Sequence, residues 1–191
     1  MDFSKLISNI RETHVALQQD ATKAINRALT MRNWLIGFYI VEFEQKGDKA
    51  RYGDRLLKEL VLAIRIRGLS EINLKISRLF YLTYPQIAQH ITEHLHQRSN
   101  TYIIYQTIHE KLLNNDNQIL KICQTSDKLV NRMSIPAEKL LEKLSFSHIT
   151  ELLFVQDDLK RAFYEMECIK GHWSARELKR QINKLYLSAA D

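Results

Sequence analysis

Apolar residues recur through the first forty positions in an alternating three- and four-residue rhythm. Phe3, Ile7, Ile10, Leu17, Ala21, Ala24, Ala28, Met31, Leu35 and Phe38 mark the stripe, and His14 fills its remaining seam position. No proline falls in 3–45, so the spacing predicts one long helix, or two broken near 18–22. A seam of this kind asks for a partner helix, either from the same chain or from a second copy. The alanines at 21, 24 and 28 leave room for close approach.

The rest of the chain follows the same period. Gly47-Asp48 ends the first element and Gly53-Asp54 opens a second, with Leu56, Leu57, Leu60, Val61 and Ile64 facing inward. Gly68 stops it, as a residue free to turn left-handed does. Ser70 caps a third helix with Ile72, Ile76, Leu79 and Phe80 inward, and Tyr84-Pro85 closes it, because the residue before proline is pushed out of helical geometry. Residues 86–95 and 102–113 read as helices and 114–117 as a loop; Tyr102 to Tyr105 has strand-like composition, which leaves a small hairpin as the alternative there. Pro136, at a first-turn position, starts a group of four helices near 136–144, 147–155, 157–170 and 174–186. Ser174-x-x-Glu177 has the capping-box pattern and Gly171 separates the last two helices. The expectation is an all-α fold: a long helical stripe over 1–46, a helix-turn-helix-like unit over 47–85, a connector over 86–134 and a C-terminal helical group over 135–188.

Composition sharpens this. Five Gly and two Pro in 191 residues are few helix breakers. The longest apolar run, 34–41, is far below the roughly 20 residues a bilayer requires. Charges at Asp2, Lys5, Arg11, Glu12 and Asp20 argue against a secretory signal. Cys123 and Cys168 stand far apart without a C-x-x-C, which points to a reducing, cytoplasmic setting. The net charge of +6 is uneven: 51–84 and 160–184 each carry seven Lys/Arg against three Asp/Glu. Two basic stretches on an otherwise slightly acidic chain suggest a polyanion partner.

The dimensions of 56–81 suit a helix-turn-helix, with Ala63, Gly68, Leu69 and Leu74 at the positions that need small, turning and apolar residues. Arg67 and Ser77 fall where apolar residues fit better. On the outer side of the third helix we expect Glu71, Asn73, Lys75, Arg78 and Tyr81. Asn73 and Arg78 suit base edges and Lys75 phosphate, while Arg51, Arg55, Arg65 and Arg67 suit the nucleic-acid backbone. The plain alternative is a helical hairpin with a solvated basic face. In the last helix Leu178, Ile182 and Leu185 oppose Arg176, Lys179, Arg180 and Lys184. Trp173 is read as a packing residue in preference to a base-stacking one. His90-Ile91-Thr92-Glu93-His94 matches H-x-x-E-H, but with no third ligand indicated it is read as a solvated helix face. Glu44-Gln45-Lys46, Asp158-Leu159-Lys160 and Glu177-Leu178-Lys179 mimic the end of a nuclease metal motif, yet sit in or beside helices and are read as solvated charges. No nucleotide-binding or hydrolase-elbow motif occurs, and no cofactor or catalytic residue is indicated.

Several segments resemble the N-terminal domain of the YhcG family, whose full-length members carry a C-terminal PD-(D/E)XK nuclease domain. These are Asn33-Trp34-Leu35-Ile36-Gly37, Arg51-Tyr52-Gly53 with Leu56-Leu57, Asn73-Leu74, Arg78-Leu79-Phe80-Tyr81 and Tyr84-Pro85. Pro136 to Leu141, Leu144-Ser145-Phe146-Ser147-His148, Arg161-Ala162-Phe163-Tyr164 and Trp173 to Ile182 complete the set. Phe146 stands where the family often has tryptophan. The resemblance implies a DNA-binding, helix-turn-helix-like domain over 1–188, attached in cis or in trans to a nuclease of mobile-element or defence type. The nuclease motif is absent, so the chain is expected to be a fragment or a stand-alone domain without catalysis. The alternative is a homodimerising protein-interaction adaptor. DNA, a nuclease domain and a second copy are thus the expected partners, and a membrane is not.

Overall fold

The computed structural model describes residues 2–45, 55–96, 106, 108 and 135–188, with side chains through Lys184. Among the described residues eight helices and no strands occur: α1 Phe3–Phe43, α2 Leu56–Ile64, α3 Glu71–Thr83, α4 Ile87–His96, α5 Ala137–Lys143, α6 Phe146–Leu153, α7 Asp158–Gly171 and α8 Ala175–Ser188. None of them is long and apolar enough to cross a membrane. Except for Gln106 and Ile108, the helix, hairpin and loop expected over 102–117 lie outside the described residues.

The first stripe forms one unbroken helix of 41 residues, about 61 Å long. The Asp2 carboxylate caps it by accepting from the Lys5 N–H at 2.8 Å. Residues 2–26 are exposed on every side, so the helix stands clear of the body for more than half its length. Burial begins at Thr30 and takes in Asn33, Trp34, Gly37, Phe38 and Val41, which pack chiefly against α3. Gly37 makes that crossing possible: a Cβ there would lie 2.0 Å from the Ser77 carbonyl oxygen.

Aromatic side chains knit this crossing to the C-terminal group. The Trp34 and Tyr81 rings meet edge-on with centroids 5.0 Å apart, and Phe80 lies 5.5 Å from Tyr84 and 6.0 Å from Phe146. The Trp34 indole N–H donates to the Tyr84 carbonyl at 3.0 Å. Ile87, Ile91, Leu140, Leu152 and Leu178 extend the same core across α4, α5, α6 and α8.

Three local expectations need correction. The inward face of α3 is Leu74, Ser77, Phe80 and Tyr81, whereas Ile72 and Leu79 are exposed and Ile76 only half-buried. The helix is turned because the Gly37–Ser77 approach sets which side meets α1. In α2 only Leu56 is buried; Leu57, Leu60 and Val61 are half-buried and Ile64 is exposed. An apolar groove of about 530 Å³, lined by Ile36, Ile40, Leu60 and Leu74 among others, separates it from α1 and α3. Finally, α2 stops at Arg65, which takes the left-handed conformation with φ 50°, ahead of Gly68 at φ 89°. The connector runs from Arg65 to Ser70, longer than a tight helix-turn-helix link.

The C-terminal group matches the expected helices within a residue or two, with Pro136 as the cap of α5 and not its first turn. The capping box at Ser174 forms by half. The Ser174 hydroxyl accepts from the Glu177 N–H at 3.2 Å, while the Glu177 carboxylate turns to Arg180 and Gln181.

Candidate nucleic-acid interface

The expected contact residues fall into two groups with different surroundings. Of those on the α2–α3 hairpin, Arg51 lies outside the described residues. Arg55 is exposed at the start of α2, and Arg67 is exposed in the connector. Arg65 curls back to donate from Nε to the Leu62 carbonyl at 3.2 Å. Asn73 is occupied locally: its side-chain amide donates to the Gly68 carbonyl at 2.6 Å, and its N–H reaches the Ser70 hydroxyl at 3.2 Å. It thus acts as a staple for the connector. Lys75 pairs with Glu71 one turn earlier at 2.7 Å, which holds the Glu71 carboxyl below its usual range. Arg78 pairs through Nε with Glu44 at 2.8 Å, tying α3 to the residue that caps α1.

What surrounds Lys75 is apolar. The outer face of α3 presents Ile72, Leu79 and Leu82, which are 68%, 41% and 45% exposed. Tyr81, expected beside them, is buried under Trp34 and Phe38.

The last helix is built differently. Leu178 and Ile182 are buried against the body, so the helical period sends Arg176, Lys179, Arg180, Asn183 and Lys184 to the opposite side. All five are exposed and span just over two turns. Arg176, Arg180 and Lys184 follow at four-residue intervals, so each guanidinium or ammonium rises directly over the preceding turn. Glu177 at the flank pairs with Arg180, which together with Gln181 holds its carboxyl below the usual range. Lys179 reaches Glu151 of α6 at 3.3 Å. This stripe can bind successive phosphates by charge-assisted hydrogen bonds without reading bases. Trp173, just before it, is half-buried, packs on the core and accepts through its carbonyl from His148 at the start of α6, consistent with a packing role.

Two polar residues that hold the frame escaped the sequence reading. The His148 ring closes the start of α6: Nδ1 accepts from the Ser145 N–H at 3.1 Å, and Nε2 lies 3.0 Å from the Trp173 carbonyl. Because a carbonyl only accepts, Nε2 is the donor in that contact. His148 therefore locks α6 to the turn that launches α8. The spacing Ser145-x-x-His148 was the available signal, with histidine in the glutamate position of a capping box.

Glu165 is the second. It is buried and accepts from the Tyr84 hydroxyl at 2.7 Å. Burial pushes its carboxyl above the usual range, against the opposing pull of Tyr84 and Arg161. Burial likewise raises the Tyr84 phenol, and the Cys168 thiol is pushed up to about 11. An Arg161–Glu165 pair at helical spacing was its signal in the sequence. Among the described residues no group of three His, Cys, Asp or Glu side chains is arranged to hold a metal ion, the His90–His94 segment included.

Comparison with known proteins places these features in context. The DUF1016 N-terminal domain model matches residues 9–134 and 115–188. The chain is 34% identical over 174 residues to the "Putative nuclease YhcG" of Escherichia coli (strain K12). That alignment covers 85% of this chain but only 40% of the relative's length. No solved structure matches.

Proposed function

The chain belongs to the DUF1016 N-terminal domain family, and from that premise we propose that it is the DNA-engaging, non-catalytic part of a YhcG-type nuclease. It works in the reducing cytoplasm and leaves strand cleavage to a nuclease domain in cis or in trans. One observation carries the reading: α8 gathers Arg176, Lys179, Arg180 and Lys184 on a single exposed face of a helix anchored by its other side. The hairpin residues Arg55, Arg65, Arg67, Lys75 and Arg78 form the alternative phosphate surface, which the apolar neighbours of Lys75 disfavour. A second role, self-association, is favoured by the bare length of α1.

The test is fluorescence anisotropy with a duplex of about 20 base pairs at 50 and 200 mM salt. Four phosphate contacts predict a slope near −3.6, so affinity falls by ~150-fold over that range. In Arg176→Ala/Arg180→Ala the slope halves, and the same salt change costs only ~12-fold. An unchanged slope in this variant removes α8 from the interface. A larger loss in Lys75→Ala/Arg78→Ala moves the interface to α3, and no salt dependence at all overturns DNA binding.

A further inference from the structure

The projecting part of α1 carries a seam whose two halves differ in size. Phe3, Ile7 and Ile10 are large, and Ala21, Ala24 and Ala28 are small. His14 and Leu17 lie at the junction. All are exposed, Phe3 at 76% and Ile10 at 59%. Through residue 26 every position is exposed, and the staples along this length are local, among them Ser8 donating to Glu12, Thr22 to the Gln18 carbonyl, and Lys23 pairing with Asp20. A helix rich in Ser, Asn and Thr gains most of its stability from packing, so this arm needs a neighbour.

We propose that the neighbour is the same arm of a second copy, lying antiparallel, with the twofold axis between His14 and Leu17. In that register Phe3 faces Ala28 of the second copy, Ile7 faces Ala24, Ile10 faces Ala21, and His14 faces Leu17. Each layer then pairs a large side chain with a small or medium one, and the helix separation stays even along the seam. A parallel pair would set large on large at one end and alanine on alanine at the other. Charge agrees with this choice. The antiparallel flanks bring Arg11 to Gln18 and Thr13 to Asp20, with no like pair, whereas a parallel pair opposes Arg27 to Arg32.

At the base of the arm lies a groove of about 900 Å³ with a mixed lining, in which Ala24, Ala28 and Leu144 stand beside Lys23, Arg27 and Glu142. The register delivers Phe3 of the second copy to this place. Seam, flanks and groove together supply roughly 20 residues a side, the number that stable interfaces use.

Sedimentation equilibrium of the 191-residue chain between about 1 and 100 µM tests the association, and disulfide trapping tests its direction. The expected result is a reversible dimer. Ile10→Asp weakens it by about 100-fold or more, since two carboxylates enter the dry seam, while circular dichroism shows the body still folded. In a Cys123→Ser background, Ile10→Cys and Ala21→Cys chains are mixed and oxidised. The antiparallel pair yields the mixed disulfide between positions 10 and 21. Homotypic disulfides at 10 and at 21 would overturn the direction. A monomer at every concentration, or a dimer indifferent to Ile10→Asp, would overturn the interface, as would a monomer whose arm docks on its own body. None of these readouts depends on DNA, so DNA binding stands or falls separately.

Discussion

Substituting Gly37 by alanine isolates the contact on which the α1–α3 crossing depends. The added Cβ would sit 2.0 Å from the Ser77 carbonyl oxygen, 2.6 Å from the Ser77 carbonyl carbon and 2.9 Å from the Tyr81 Cβ. Ordinary contact begins near 3.4 Å, so the helices must part by more than an ångström or twist. The obstacle is main chain, which cannot rotate aside as a side chain would. Parting by ~1 Å forfeits a quarter to half of the dispersion energy across the Trp34, Phe38 and Tyr81 contacts. Because the obstacle is backbone at 2.0 Å, the cost lies in the upper part of the usual overpacking range, about 2–3 kcal/mol. Alanine recovers about 1 kcal/mol through its better helix propensity. The net expectation is a destabilisation of about 1–2 kcal/mol, or a fall in Tm of roughly 2–8 °C for a chain this size. Thermal melts followed at 222 nm and urea midpoints measure it. Ser77→Ala serves as the control. The Ser77 hydroxyl is buried without a hydrogen-bond partner, so its removal should be neutral or slightly stabilising, and it should not rescue Gly37→Ala. An unchanged or raised Tm in Gly37→Ala would refute the claim that this glycine sets the helix separation.

Two further predictions concern the polar frame. Glu165 has a folded-state pKa above the unfolded one, so its contribution to stability is fully present below the unfolded value and is lost as pH rises through the folded value. Glu165→Gln keeps an acceptor for the Tyr84 hydroxyl and removes that titration; urea midpoints should show the wild type losing ground to the variant as pH climbs from about 4.5, and a constant difference would contradict the buried charge. His148→Ala should cost about 1–3 kcal/mol, because it orphans the Ser145 N–H and the Trp173 carbonyl; hydrogen exchange should then speed up at the starts of α6 and α8, and protection equal to wild type there would refute the lock.

Much of the helix list was legible because glycine, proline and capping residues punctuate a strongly periodic chain. The same periodicity could not orient α3. Leu74, Phe80 and Tyr81 recur at helical spacing, but so do Ile72, Leu79 and Leu82, and polar residues interrupt both faces. The deciding feature was a small residue on another helix, Gly37, meeting a buried serine that looked unsuited to a core. Contacts distant in sequence were equally hidden. The Glu71–Lys75 pair follows from its four-residue spacing, whereas nothing local links Arg78 to Glu44 or Tyr84 to Glu165. The basic side of α8 was legible as far as Lys184, since Leu178 and Ile182 fix which face points outward; the side chain of Leu185, expected beside them, lies outside the described residues.

If the proposed DNA binding holds, the choice between α3 and α8 as the surface that carries it turns on neighbours, not on ion pairing. Lys75 and Arg78 are engaged with carboxylates, but so are Lys179 and Arg180. Surface pairs such as Lys75–Glu71 and Arg180–Glu177 contribute only about 0–1 kcal/mol, so a phosphate can displace those carboxylates at small cost, whereas Arg78 is held by the partly buried Glu44. The difference lies in what the phosphate would meet next. On α3 it would be flanked by Ile72, Leu79 and Leu82, which offer no hydrogen bond in exchange for the water it sheds. On α8 it would pass from Arg176 to Arg180 to Lys184 with Asn183 alongside, and each step replaces lost water with a donor. On the proposed reading the outer face of α3 is therefore the poorer surface for phosphate, since exposed leucine and isoleucine gain free energy only when another apolar face covers them.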